Sequence, residues 1–155
     1  MLNQLLETWQ IDHRVNFVLI DAISEPGMAS TLSTRGGRDV ARQFAHMHNV
    51  RLGWLEAYRK DLAKDVGKFA SKGSPSKSEL KKAHTASTHA IAEMFRRTIE
   101  KGGPMKGWKR GPICALGYFI AHESHHRGSI LLTLKQSGHT VSQDVAYGIW
   151  DWNRI

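Results

Sequence analysis

The sequence predicts an all-α protein, a four-helix bundle with a short aromatic C-terminal tail. Three observations carry this. Apolar residues recur at three- and four-residue steps through four long segments, Gly/Pro clusters separate those segments, and no stretch alternates apolar with polar as a half-buried strand would. Four helices joined by connections of about 15 residues or fewer bury their apolar stripes most simply against one another.

The first helix is predicted from about Leu2 to Ile23. Leu2, Leu5, Leu6, Trp9, Phe17 and Ile20 form its stripe, and Ser24-Glu25-Pro26-Gly27 stops it. The next connection, 24–38, is long enough for a crossover rather than a tight hairpin. The second helix begins after Arg35-Gly36-Gly37, with Asp39 as N-cap, and runs to about Asp65. Ser76-x-x-Glu79 has the form of a capping box and opens the third helix, which ends at Gly102-Gly103-Pro104. The fourth follows Gly111-Pro112 and reaches Gly138, a helix-stop glycine. The tail VAYGIWDWNRI is expected to pack as a short turn or helix against the bundle.

A chain of 155 residues has the size of one domain spanning 1–155, and 41% hydrophobic residues are too many for a disordered chain. No apolar run reaches the roughly 18 residues that span a bilayer. The opening MLNQLLETWQ lacks the basic and apolar regions of a signal peptide, so the cytoplasm is the expected location. A single cysteine, Cys114, excludes an intramolecular disulfide and a thiolate-rich zinc site. Any tightly held transition metal must therefore use histidine and carboxylate.

The net charge of +8 raises the question of nucleic acid. Residues 59–82 hold eight Lys/Arg against three Asp/Glu, but this excess surrounds a Gly/Ser/Pro loop with no aromatic beyond Phe69 for base stacking. Solvated helix ends account for it, and nucleic acid is not an expected partner.

The chemistry-bearing stretch is HESHHRGS, residues 122–129. His122 and His126, four apart, stack on one helical face and could share one ion at about 2.0–2.1 Å. The same stripe carries Phe119, Ser129, Ile130 and Thr133, so it is expected to face the interior. His125 lies about 100° from His126 and is expected at the surface. Gly128 in mid-helix costs roughly 1 kcal/mol against alanine, which predicts a close approach there. The first five residues also read H-E-x-x-H, a zinc-peptidase signature. That reading fails because no glutamate follows Glu123, Ser129 stands where the extended motif needs glycine, and no strand precedes the helix.

A third ligand must come from another helix, and FAHMHNVRLGWL (44–55) offers His46 and His48. They point about 200° apart, so one at most can face the ion. Phe44, Leu52 and Leu55 lie on the side of His48, and Val50 and Trp54 nearer His46; helical geometry alone leans to His48. His13 reads as a satisfied core histidine, and His84, His89 and His139 as surface residues.

HESHHRGSILLTLKQSG resembles the C-terminal motif H-x-x-H-H-R-G-Q-I of the DinB-like (DinB/YfiT-like) family, and DVARQFAHMHNVRLGWL resembles its second-helix motif, a histidine with tryptophan eight residues on. His46 and Trp54 have that spacing; His48 does not. Ser129 replaces the family's frequent glutamine. The resemblance implies a four-helix bundle, commonly a homodimer, with a three-histidine site for a divalent metal, zinc or nickel. Its ligands here would be His46, His122 and His126, with His48 the alternate to His46. It further implies a metal-dependent hydrolase or thiol transferase, acting with a low-molecular-weight thiol on an electrophilic small molecule. The other reading is a non-catalytic, dimerising metal-binding bundle. Glu123 enters as support for the site rather than as its base, since it lies about 100° from His122.

Overall fold

The computed structural model describes residues 1–155. Its elements are α1 (Leu2–Ala22), α2 (Glu25–Met28), α3 (Val40–Tyr58), α4 (Lys60–Ala63), α5 (Lys77–Lys101), α6 (Pro112–Gln136) and α7 (Gln143–Gly148), with no β-strand. The four long helices match the four predicted segments closely.

Local chemistry sets their ends. Asp39 caps α3 by accepting from the Arg42 N–H at 2.7 Å. Ser76 and Glu79 form the expected reciprocal capping box of α5. Pro112 sits in the first turn of α6, where its missing N–H costs nothing. Gly138, beyond the C-terminus of α6, has φ +76.

Two boundaries differ from expectation. Ser24–Gly27 does not simply stop α1: Ser24 accepts from the Gly27 N–H and starts the single turn of α2. The second helix does not continue to Asp65. Arg59 leaves helical geometry at φ −144, ψ 59, and a separate turn, α4, follows.

In the bundle, α1 packs against α5 and α6, and α3 packs against the same two helices, so α1 and α3 are diagonal. Connection 24–38 is therefore a crossover. The interior is layered. One apolar cluster holds Val15, Leu19, Ile20, Phe44, Met47, Leu80, Ile130 and Leu134; the other holds Leu5, Trp9, Leu52, Leu55, Ile91, Phe95, Leu116 and Phe119. Between them every long helix contributes buried polar groups at the same level: Asp12 and Asn16 from α1, Arg51 from α3, Ser87 and Thr88 from α5, Glu123 and Arg127 from α6.

These groups bond to one another, leaving Asp12 Oδ2 without a partner. Arg51 grips Glu123 through Nε–Oε1 at 2.6 Å and Nη2–Oε2 at 2.7 Å, and its Nη1 donates to Thr88 Oγ1. Asn16 Nδ2 donates to Glu123 Oε2 at 2.6 Å. Arg127 donates to Asn16 Oδ1 and, at 2.7 Å, to Asp12 Oδ1. The Arg51 guanidinium lies 4.6 Å from the Trp9 ring, whose Nε1 donates to the Thr88 carbonyl. Arg127 thus turns inward rather than away from the bundle, because α6 presents Phe119, Glu123, Arg127 and Ile130 to the interior. Gly128, on the outer side, would meet nothing within 4 Å if it bore a Cβ, so no close approach explains it.

Candidate metal centre

The inward face of α6 is centred on Glu123, which leaves His122 and His126 at its flank, turned toward α3. There α3 presents His46. Ring centroids lie 5.4 Å apart for His46–His122, 4.8 Å for His46–His126 and 4.7 Å for His122–His126. One nitrogen from each of the three lies within 4.8 Å of the other two, and all three rings are half-buried.

His48 is placed elsewhere. The apolar side of α3 that carries it is the core itself. Its ring is fully buried, and Nε2 donates to the Gly67 carbonyl at 2.7 Å. Proximity to Phe44 and Leu52 marks a core position, and a core position faces away from His122 and His126. Helical geometry leans to His48, but the histidine that lies with His122 and His126 is His46.

The other histidines sort similarly. His125 is exposed beside His126, at 5.2 Å between centroids. His13 packs on Phe17 at 4.3 Å, half-buried on α1. His89 is exposed and His139 half-buried. His84 departs from the surface position expected of it: it is fully buried and donates Nε2–H to the Phe44 carbonyl at 2.9 Å. Its place in α5 faces the polar layer, a fact invisible in a Lys-rich helix start.

Electrostatics suits metal binding. Burial pushes His46 down to about 4, with the Arg38 charge and then His122 adding to the effect. His126 is also lowered to about 4, first by burial, then by His122 and His46. His122 is lowered by burial, against the pull of the Glu123 charge. Each shift favours the neutral imidazole with its free lone pair, the form a metal needs. Nδ1 of His126 is buried and has no hydrogen-bond partner. Three neutral imidazoles meeting at one point, one with an orphaned nitrogen, fit a divalent transition metal with room for a further ligand.

Glu123 does not touch this cluster. Burial would raise its carboxyl, but Arg51, by charge and by hydrogen bonding, brings it down to about 2. Both oxygens are committed to Arg51 and Asn16. Its partner in the layer, Asp12, is pushed well above the usual range by burial and by the Glu123 charge.

Two clefts open onto the histidines. One, of about 450 Å³, runs from His46 past Arg38, Arg42, Asn49 and Lys68 to Phe69. The other, of about 310 Å³, lies beside His126 and is bounded by His125, Gln43, Ser33 and, again, Arg38. The remaining border is aromatic: Tyr118 stacks nearly parallel on His122, at 13° and 6.1 Å, and meets Trp54 and Trp108. Trp54, the tryptophan of the second-helix motif, packs on Trp108 at 4.4 Å. The loop carrying Trp108 comes close only because residue 107 is glycine. It has φ +85, and a Cβ there would lie 2.6 Å from the Tyr58 ring.

The DinB family model matches residues 1–152. The chain belongs to the DinB family. No curated protein matches it. Within this DinB chain the second-helix and fourth-helix motifs meet in space, through His46, His122 and His126. Sequence reasoning missed Arg38, Tyr118 and Trp108 as neighbours of the site. Tyr118 carried a usable signal, since it precedes His122 by four residues and so shares its face. Arg38 and Trp108 lie in connections and carried none. No helix is long and apolar enough to cross a membrane.

Proposed function

We propose that this DinB protein binds one zinc or nickel ion through His46, His122 and His126, and uses it to transfer a low-molecular-weight thiol to an electrophilic small molecule, an S–C bond forming as the electrophile's leaving group departs and the thiol's proton passes to solvent. The observation that carries the reading is the three-histidine cluster, with ligand nitrogens within 4.8 Å of one another at the mouth of two clefts. A divalent metal with an open position lowers the pKa of a thiol or water bound to it. The chain's own residues supply the rest. The neutral imidazoles hold the ion, the Tyr118–Trp54–Trp108 wall screens one side from water, and the clefts admit the reactants.

Between the two activities that the family resemblance implies, the absence of a carboxylate from both clefts supports thiol transfer over hydrolysis. Water is a far weaker acid than a thiol, so water attack gains more from a nearby general base. Glu123 is held by Arg51, and neither cleft is lined by an aspartate or glutamate. A thiol, already the stronger acid, would need only the charge of a bound metal to release its proton to solvent. The same lack of a base supports the second reading, a non-catalytic metal-binding bundle that dimerises. Cytoplasmic location and homodimerisation belong to both readings.

Elemental analysis of untagged protein, followed by thiol consumption assays against a panel of electrophiles, tests this. One zinc or nickel per chain together with thiol-dependent turnover is the expected result. Metal without turnover selects the non-catalytic reading, and protein free of metal after purification and reloading removes both.

A further inference from the structure

The walls of the site carry a charge pattern that points to the kind of molecule it accepts. The larger cleft, at about 450 Å³, has the size of a small-molecule pocket. Arg38, Arg42 and Lys68 line it with no aspartate or glutamate, and the cleft beside His126 likewise lacks a carboxylate. Arg38 borders both clefts, and its positive charge acts on both His46 and His126.

The opposite wall is built rather than loose. Asn49 clamps Phe69 from both sides, accepting from its N–H and donating to its carbonyl, each at 3.0 Å. Arg42 Nη2 donates to the Ser71 carbonyl at 2.9 Å. Lys68 has only a long contact, 3.8 Å, with exposed Glu56. Arg38 has no carboxylate within ion-pair distance. A guanidinium offers a fork of donors that matches a carboxylate or phosphate, and an unneutralised one beside a reaction centre attracts such a group.

We propose that the substrate taken at the histidine cluster is a small molecule bearing a carboxylate or phosphate group, which Arg38 holds while Arg42 and Lys68 strengthen the positive field of the cleft. This identifies the substrate class of the site and rests on the metal reading above. Arg38 is here a binding residue, and the anionic end of the substrate lies along the His46 cleft with its reactive end toward the rings.

Isothermal titration calorimetry at low salt, with succinate and separately with inorganic phosphate, tests the inference on wild type, Arg38→Ala and Arg38→Lys. Metal content is measured on the same samples. At least one anion should bind, and which one distinguishes a carboxylate from a phosphate substrate. Arg38→Ala should weaken that binding by roughly tenfold or more, the loss of one charge-assisted contact, with Arg38→Lys intermediate. Added salt should weaken it further. Failure of both anions to bind, or equal binding by wild type and Arg38→Ala, overturns the inference. Arg38-dependent binding to protein that holds no metal supports the anion site and removes the metal reading instead. One metal per chain without Arg38-dependent binding does the reverse.

Discussion

His46 and His48 lie two residues apart on α3, about 200° apart around its axis, and the bundle uses them in different ways. His46 reaches the α3/α6 edge, where a half-buried ring can meet His122 and His126. His48 enters the core, where its Nε2–H must find an acceptor and takes the Gly67 carbonyl. Removing that ring leaves a cavity and an unpaired carbonyl, but no lost ligand. His48→Ala is therefore expected to lower the melting temperature and keep its metal, whereas His46→Ala loses the metal and stays folded. Elemental analysis and thermal unfolding of the two variants check this, and metal loss in His48→Ala with retention in His46→Ala would reverse the assignment.

At the scale of elements, α6 does two jobs on adjacent faces. Glu123 and Arg127 tie it to α3 and α1 through the buried ionic layer, while His122 and His126 look out at its flank. The motif HESHHRGS interleaves both faces, which is why Glu123 looked like part of the metal chemistry. Removing one partner of a buried pair leaves the other charge uncompensated. Glu123→Gln is expected to cost on the order of 3 kcal/mol, by leaving Arg51 unpaired. For a chain of this size, that lowers the melting temperature by roughly 6–12 °C. Metal content at 20 °C should not change, because neither Glu123 oxygen touches the cluster. Thermal unfolding with metal analysis measures both, and a stable variant that has lost its metal would instead make Glu123 part of the site.

Across the whole molecule, the polar layer couples stability to pH. Burial, followed by the Arg51 charge, lowers His84 to about 3 in the fold, whereas the unfolded chain titrates near the ordinary 6.5. The unfolded state therefore binds the proton first. The stability that His84 contributes is complete above about pH 6.5 and is lost as pH falls toward 3. His13, lowered by burial to about 4, acts in the same sense. In urea unfolding of chelator-treated protein between pH 7 and 4, these two histidines should make stability fall with acid, against the opposite contribution of Asp12, whose carboxyl is raised in the fold. His84→Gln should flatten the slope by up to roughly 1.4 kcal/mol per pH unit. Equal slopes for wild type and variant would mean that His84 is solvated.

Much of this was legible along the chain because it is local. Helix periodicity, the Asp39 and Ser76 caps, Pro112 and Gly138 each act within a turn of their own position, and an i,i+4 histidine pair shares a face in any α-helix. The sequence by itself determined four helices, their order and the His122/His126 pair. The choice of His46 over His48, the burial of His84, the commitment of Glu123 to Arg51 and the presence of Arg38 beside the rings were decided by the tertiary structure. Each depends on which side of a helix meets a partner far away in sequence, and periodicity does not reveal that direction when polar groups line the core as they do here.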